Sequence, residues 1–357
     1  MPKDRQGPIR VVVVDDSPTF RDFLASILED AGDIQVVGTG VNGEEAVRQT
    51  QRLRPDVVTL DIRMPKLDGL EATRRIMRET PTPIVIVTGS LMRADTDLTF
   101  EALRAGALTV IAKPGLADLE TCEKVVQTVR LMADVPVVHH WGRTEVGISS
   151  RDWTLTSSFP PFGRPTSDIR IVGIAASTGG PAALATVLGP LPADFPLPIL
   201  IVQHVTRGFT AGLAEWLNTQ TALCVGLAGH GDTPQPGTVL VAPGDYHLQM
   251  NLRGVVELCK DSLYKGLRPS ANFLFRSLAR TYGSRAMGIM LTGMGDDGAQ
   301  GLDELHRAGG WTIAQDEPSC VVYGMPREAV ARNAVDQVLS PGQIALALSQ
   351  LSQKRTV

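Results

Sequence analysis

Five residues in the first third of the chain have the types and spacing to handle a phosphoryl group: Asp15, Asp16, Asp61, Thr88 and Lys113. Each closes a short β-branched run, in VVVVDD, DVVTLDI, PIVIVTG and LTVIAKP. If those runs are parallel strands, their carboxyl ends share one sheet edge and the five side chains converge there. Three carboxylates in one place repel unless a cation sits among them, and Mg²⁺, hard and content to keep waters, suits them. A carboxylate beside that ion can attack a phosphoryl group and become an aspartyl phosphate. A hydroxyl and an ammonium opposite would stabilise charge on the transferred oxygens. Any one Asp at a strand end is more simply a cap, but three Asp with a Thr and a Lys at matching ends point to a shared site.

A second set lies further on. The stretch IVGIAASTGGPAAL, from Ile171 to Leu184, reads as strand, small-residue turn and helix start. No lysine follows Ser177 as a Walker loop requires, and the Gly173 stretch lacks the G-x-G-x-x-G spacing of a dinucleotide loop. Ser177 can instead be a nucleophile, provided a histidine takes its proton. The chain has six histidines. His204 ends an apolar strand, PILIVQH, just after the serine's βα unit, so it should emerge on the same edge as Ser177. The run AMGIMLTG delivers the cluster GMGDDG there too. Spacing alone leaves a catalytic triad and a structural serine turn equally open, and Ala175 departs from a strict G-x-S-x-G elbow.

The elements that must position these residues are legible. From Arg10 to about Ala133, five β-branched runs alternate with amphipathic helical patterns, which implies a (βα)5 doubly wound parallel sheet. Ser17 is placed as an N-cap with Pro18 at N1. Residues 134–168, with Pro, Ser and Gly and no sustained period, read as an interdomain linker. From Ile169 the β-rich pattern resumes as a second doubly wound, mainly parallel α/β domain, with an antiparallel hairpin expected within Gly237–Lys260. A chain of 357 residues accommodates about two such domains. The net charge of −4 offers no general attraction to nucleic acid or anionic membrane. The half from Ile169 onward holds equal numbers of basic and acidic residues, against a DNA-binding effector. Four cysteines without CxxC spacing point to neither zinc nor disulfides, and Cys320 reads as a small core residue. With no secretory signal and no apolar stretch of about 18 residues, the expectation is a cytoplasmic protein without membrane insertion.

VVVVDDSPTFR, DVVTLDIRMPKLDGLEA, IVTGS and IAKPG resemble a response-regulator receiver domain over residues 8–133. The resemblance implies Asp15, Asp16 and Asp61 as the Mg²⁺ site, Asp61 as phosphoacceptor, and Thr88 and Lys113 as phosphoryl contacts. Val110 stands where many receivers carry an aromatic switch residue. The turn at Ser177, with QHVTRGFT, VLVAPGDYHL, RPSANFLF, IMLTGMGDDGAQGL and SCVVYGMPREA, is similar to the catalytic domain of chemotaxis protein-glutamate methylesterases over residues 169–352.

That second resemblance implies Ser177 as nucleophile, His204 as base and Asp297 as the acid that orients it, with Asp296 a solvated neighbour. It places the oxyanion site at the N–H groups near Thr178 and Met294, with Gly179 and Gly180 opening the cleft. It implies chemoreceptor substrates, glutamine deamidation by the same chemistry, a histidine kinase as phosphodonor, and no cofactor for ester hydrolysis. The expected form is a monomer whose unphosphorylated receiver covers the cleft. Ala175, Val205-Thr206-Arg207, Leu267 and Asn272 depart from the family pattern near the cleft. The rival expectations are a receiver-gated scaffold of a non-motility chemosensory pathway and a DNA-binding regulator.

Overall fold

The computed structural model describes residues 7–89, 93–115, 118–135, 168–205 and 208–353. Thr206, Arg207 and residues 136–167, with His139, His140 and nearly all of the stretch expected to be a linker, lie outside the described residues.

The first half runs β1 (Ile9–Val14), α1 (Pro18–Asp30), β2 (Ile34–Gly40), α2 (Gly43–Leu53), β3 (Val57–Leu60), α3 (Gly69–Glu79), β4 (Ile84–Thr88), α4 (Arg93–Arg104), β5 (Thr109–Ala112) and α5 (Leu119–Met132). All strand pairs are parallel in the order β2-β1-β3-β4-β5, the doubly wound arrangement expected. Strand periodicity sorts the core. Val12 and Val14 face one apolar cluster while Val11 and Val13 face another, so β1 is buried on both sides. Ser17 caps α1 by accepting the Phe20 N–H, with Pro18 at N1.

The second half contains β6 (Ile171–Ala176), α6 (Gly180–Leu188), β7 (Ile199–Gln203), α7 (Thr210–Gln220), β8 (Cys224–Leu227), β9 (Thr238–Val241), β10 (His247–Met250), β11 (Val256–Cys259), α8 (Ala271–Tyr282), β12 (Ala286–Met290), α9 (Ala299–Arg307), β13 (Trp311–Gln315), α10 (Met325–Ala331), β14 (Gln337–Leu339) and α11 (Pro341–Gln353). Seven strands form a parallel sheet in the order β14-β13-β12-β6-β7-β9-β8. The antiparallel hairpin is narrower than the sequence suggests. Among the described strands β10 and β11 alone pair that way, whereas β9 joins the large sheet parallel to β7 and β8. A four-residue strand such as β9 carries no mark of its partner; the sheet edge decides it.

The two halves meet at α4 against α6 and α7. Phe100 stacks on Trp216 with ring centroids 5.4 Å apart, and Trp216 Nε1–H donates to Glu101 Oε1 at 3.1 Å. One apolar cluster runs through both halves at this contact. Val321 and Val322 of the second half also pack against the apolar cluster beneath the first sheet. No helix among the described residues is long and apolar enough to cross a membrane.

Candidate active site

In the first sheet the chain crosses from β1 outward to β2 and back to β3, so the crevice between β1 and β3 is a switch point. Asp15 and Asp61 stand at its lip, buried, with Asp16 exposed beside them. One carboxylate oxygen from each of the three lies within 4.8 Å of the others. Lys113 Nζ reaches Asp15 Oδ2 at 2.6 Å and Asp61 Oδ2 at 2.7 Å. Its ammonium also sits 4.7 Å from the centroid of the Phe20 ring. Thr88 ends β4 and is buried.

Burial pushes the Asp61 carboxyl above the ordinary range, and the Lys113 hydrogen bond only partly offsets it. Burial acts against the Lys113 ammonium as well, but Asp15 and Asp61 outweigh it and hold its pKa high. The edge therefore gathers all five residues that the sequence placed there. Three hard oxygen donors with one exposed acid fit a cation that keeps several waters, as Mg²⁺ does.

The second sheet has its switch point at β6, which lies between β7 on one side and β12 on the other. Ser177 follows β6, His204 follows β7, and Asp297 lies in the loop after β12. Ala176 pairs with Gln203 in register, so Ser177 and His204 are the next residues on adjacent strands. The His204 N–H donates to Ala176 O at 2.9 Å. Gln203 adds a clamp that sequence reading missed. Its Nε2 amide donates to Ser177 O and to His204 O, each at 2.8 Å. Only its place as the last residue of an apolar strand singled it out.

His204 Nε2 lies 2.9 Å from Asp297 Oδ2. Because an ionised carboxylate only accepts, the proton of a neutral His204 sits on Nε2, which leaves the Nδ1 lone pair for a hydroxyl proton. Burial raises the Asp297 pKa, but the hydrogen bond and charge of His204, with bonds from Ser270 and Ala271, more than offset it and hold the carboxyl below the usual range. The Ser177 hydroxyl forms no hydrogen bond among the described residues, an arrangement common before substrate tightens a site.

The Thr292–Gly295 loop abuts the serine: a Cβ built on Gly293 would stand 2.6 Å from the Ser177 Cβ. Met294, next in that loop, is exposed. The Thr178 and Met294 N–H groups have no partner among the described residues. Gly179 caps α6 at φ +78°, where a side chain would also strike Val321. The space before Gly180 is filled by the Gln203 side chain. Packing within the chain thus accounts for both glycines.

The other described histidines have partners away from the serine. His230 accepts from the Leu258 N–H, and His306 Nδ1 lies 3.1 Å from Thr312 Oγ1. Asp296 pairs with Lys265 on the surface. Burial pushes the Cys320 thiol up to about 12, so it is no nucleophile at neutral pH.

Fold and edges define a class: a receiver-type acidic edge joined in one chain to a second α/β sheet bearing a serine beside a histidine–carboxylate pair. Residues 172–348 match the family described as CheB methylesterase, and residues 11–124 match the response regulator receiver domain. A protein-glutamate methylesterase/protein-glutamine glutaminase of Nitrosospira multiformis is 46% identical over 351 residues, 97% of this chain and 98% of that one. One from Syntrophus aciditrophicus is 42% identical over 347 residues, 96% of this chain and 98% of its own length. The solved catalytic domain of Thermotoga maritima CheB methylesterase is 39% identical with a TM-score of 0.50, covering 51% of this chain and 98% of that one. The chain belongs to the CheB methylesterase family, in the form that carries a response regulator receiver domain.

Proposed function

We propose that this chain is a phosphorylation-activated protein-glutamate methylesterase and protein-glutamine deamidase, acting on chemoreceptors through Ser177, His204 and Asp297. The observation that carries the reading is the His204–Asp297 bond of 2.9 Å on the strand neighbour of Ser177. His204 Nδ1 takes the Ser177 proton as Oγ attacks the ester carbonyl of a receptor glutamate. The Thr178 and Met294 N–H groups receive the oxyanion. His204 returns the proton to the departing methoxide, methanol leaves, and water resolves the acyl-enzyme by the same route. A glutamine side chain undergoes the same transfer with ammonia leaving. None of these steps uses a cofactor.

In this reading residues 8–133 are the receiver, 134–168 the linker and 169–352 the catalytic domain. Asp15, Asp16 and Asp61 would hold Mg²⁺, which when bound shields the charge of an incoming phosphoryl group. Asp61 accepts the phosphoryl group from the histidine kinase of the pathway, and Thr88 and Lys113 contact its oxygens. The contact of α4 with α6 and α7 supports a receiver docked on the catalytic domain before phosphorylation. The protein works as a cytoplasmic monomer with no nucleic-acid partner.

The test is methanol release from a methyl-esterified receptor fragment, measured with and without a small phosphodonor. The expected outcome is ester hydrolysis that rises on phosphorylation. A chain that shifts DNA and releases no methanol is a regulator of another kind.

A further inference from the structure

The Asp297 carboxylate is held by more than His204. Ser270 Oγ–H donates to Oδ1 at 2.6 Å, the Ala271 N–H to Oδ2 at 2.7 Å, and Asn272 Nδ2–H to Oδ1 at 2.8 Å. Ser270, Ala271 and Asn272 form the start of α8 and are fully buried. The far end of the Asn272 amide is also engaged. Its Oδ1 accepts the Gly301 N–H at 2.6 Å, within α9, the helix that begins two residues after Asp297. One neutral side chain thereby grips both the carboxylate and the helix that follows it.

The turn that presents these donors is itself fixed. His247 Nδ1 accepts the Ser270 N–H at 3.1 Å and its Nε2–H donates to Ser262 O at 3.2 Å. The His247 ring stacks on Phe273 with centroids 3.8 Å apart. Burial keeps His247 neutral by lowering its pKa. The titratable groups facing Asp297 are thus His204 and neutral His247, with the Asp296–Lys265 pair outward at the surface.

We infer that Asn272 is a positioning residue for Asp297, its uncharged amide fixing the orientation and the charge that the carboxylate presents to His204. The inference rests on the reading of Asp297 as the acid of the triad. The amide donates to a carboxylate and accepts from a backbone N–H while carrying no charge at any pH, which an aspartate of the same size could do only while protonated. A second carboxylate at the same 2.8 Å from Asp297 Oδ1 would put two like charges in one buried site.

The experiment compares kcat and KM against pH for the full-length chain and its Asn272→Asp, Asn272→Leu and Asp297→Asn variants, each activated by acetyl phosphate. Asn272→Asp keeps the acceptor for Gly301 and so separates positioning from helix packing. It should fold with KM unchanged and match the wild-type kcat only where the new carboxyl keeps its proton, with kcat falling as pH rises and that proton is lost beside Asp297. Asn272→Leu, if folded by circular dichroism, should lose kcat by on the order of tenfold to a hundredfold. A folded Asn272→Leu enzyme with wild-type kcat across the pH range, with Asp297→Asn inactive, overturns the inference and leaves the triad standing. Wild-type kcat in Asp297→Asn overturns the triad reading and this inference with it.

Discussion

His204 and Asp297 are joined Nε2 to Oδ2 at 2.9 Å across the strand that delivers Ser177, since β7 and β12 are the two neighbours of β6. The arrangement puts base and acid on opposite sides of the nucleophile's own strand. The strand order reverses between β6 and β12, so the loops that leave these strands diverge to opposite faces of the sheet and open a crevice at their carboxyl ends.

Replacing Asp297 with Asn should preserve the fold yet drop kcat steeply, on the order of 10³ to 10⁴, because the amide NH2 can donate to His204 Nε2 and hold the tautomer whose proton sits on Nδ1, the base position. KM should change little. Steady-state methanol release, with circular dichroism as the folding check, measures it, and a tenfold loss or less would speak against the acid role.

Labelling by a small phosphodonor should require Mg²⁺ and vanish in Asp61→Asn. The reason is the acidic trio within 4.8 Å, whose negative charge would repel an incoming phosphoryl group unless a divalent cation is bound among the carboxylates. Acid-labile phosphate that forms in EDTA, or survives in Asp61→Asn, would place the acceptor elsewhere.

Asp61→Asn should also raise receiver stability at neutral pH. The folded carboxyl has a raised pKa, chiefly from burial, so the folded state binds its proton more readily than the unfolded state. Its ionised form therefore costs stability above the folded pKa, and that cost fades as pH falls through it. Thermal unfolding at pH 7 and pH 4 tests this: the gap between Asp61→Asn and wild type should be larger at pH 7. An equal or reversed gap would mean that Lys113 stabilises the charged form more than burial opposes it.

Loosening the contact between the halves should raise the unphosphorylated rate. Trp216→Ala removes both the Phe100 stack and the bond to Glu101. Relief of about 2 kcal/mol of docking free energy corresponds to tens-fold activation. A fragment beginning near Pro165 should be active without phosphate. If both stay at the basal full-length rate, phosphorylation works by another route.

Much of this site was legible because parallel strands collect their carboxyl ends on one edge. Asp15, Asp61, Thr88 and Lys113 could be placed together from four short apolar runs, as could Ser177 and His204 from two. The residues that hold the triad in place were not. Gln203 looks like any polar strand end, and Ser270 and Asn272 become donors to Asp297 only because α8 and α9 pack together. Strand β8, with Gly226 inside it, and the three-residue β14 carry too little periodicity to declare themselves. Val110, in the aromatic switch position, is buried in the cluster shared by both halves, a placement that only the assembled interface reveals.

The nucleophile is the claim on which the rest depends, and one measurement addresses it most directly: methanol release by phosphorylated Ser177→Ala on a methyl-esterified receptor fragment. The account predicts a folded protein, phosphorylated as readily as wild type, with its rate reduced by roughly 10³ or more and little further loss on adding His204→Ala. A folded, phosphorylated Ser177→Ala enzyme releasing methanol at the wild-type rate would contradict it.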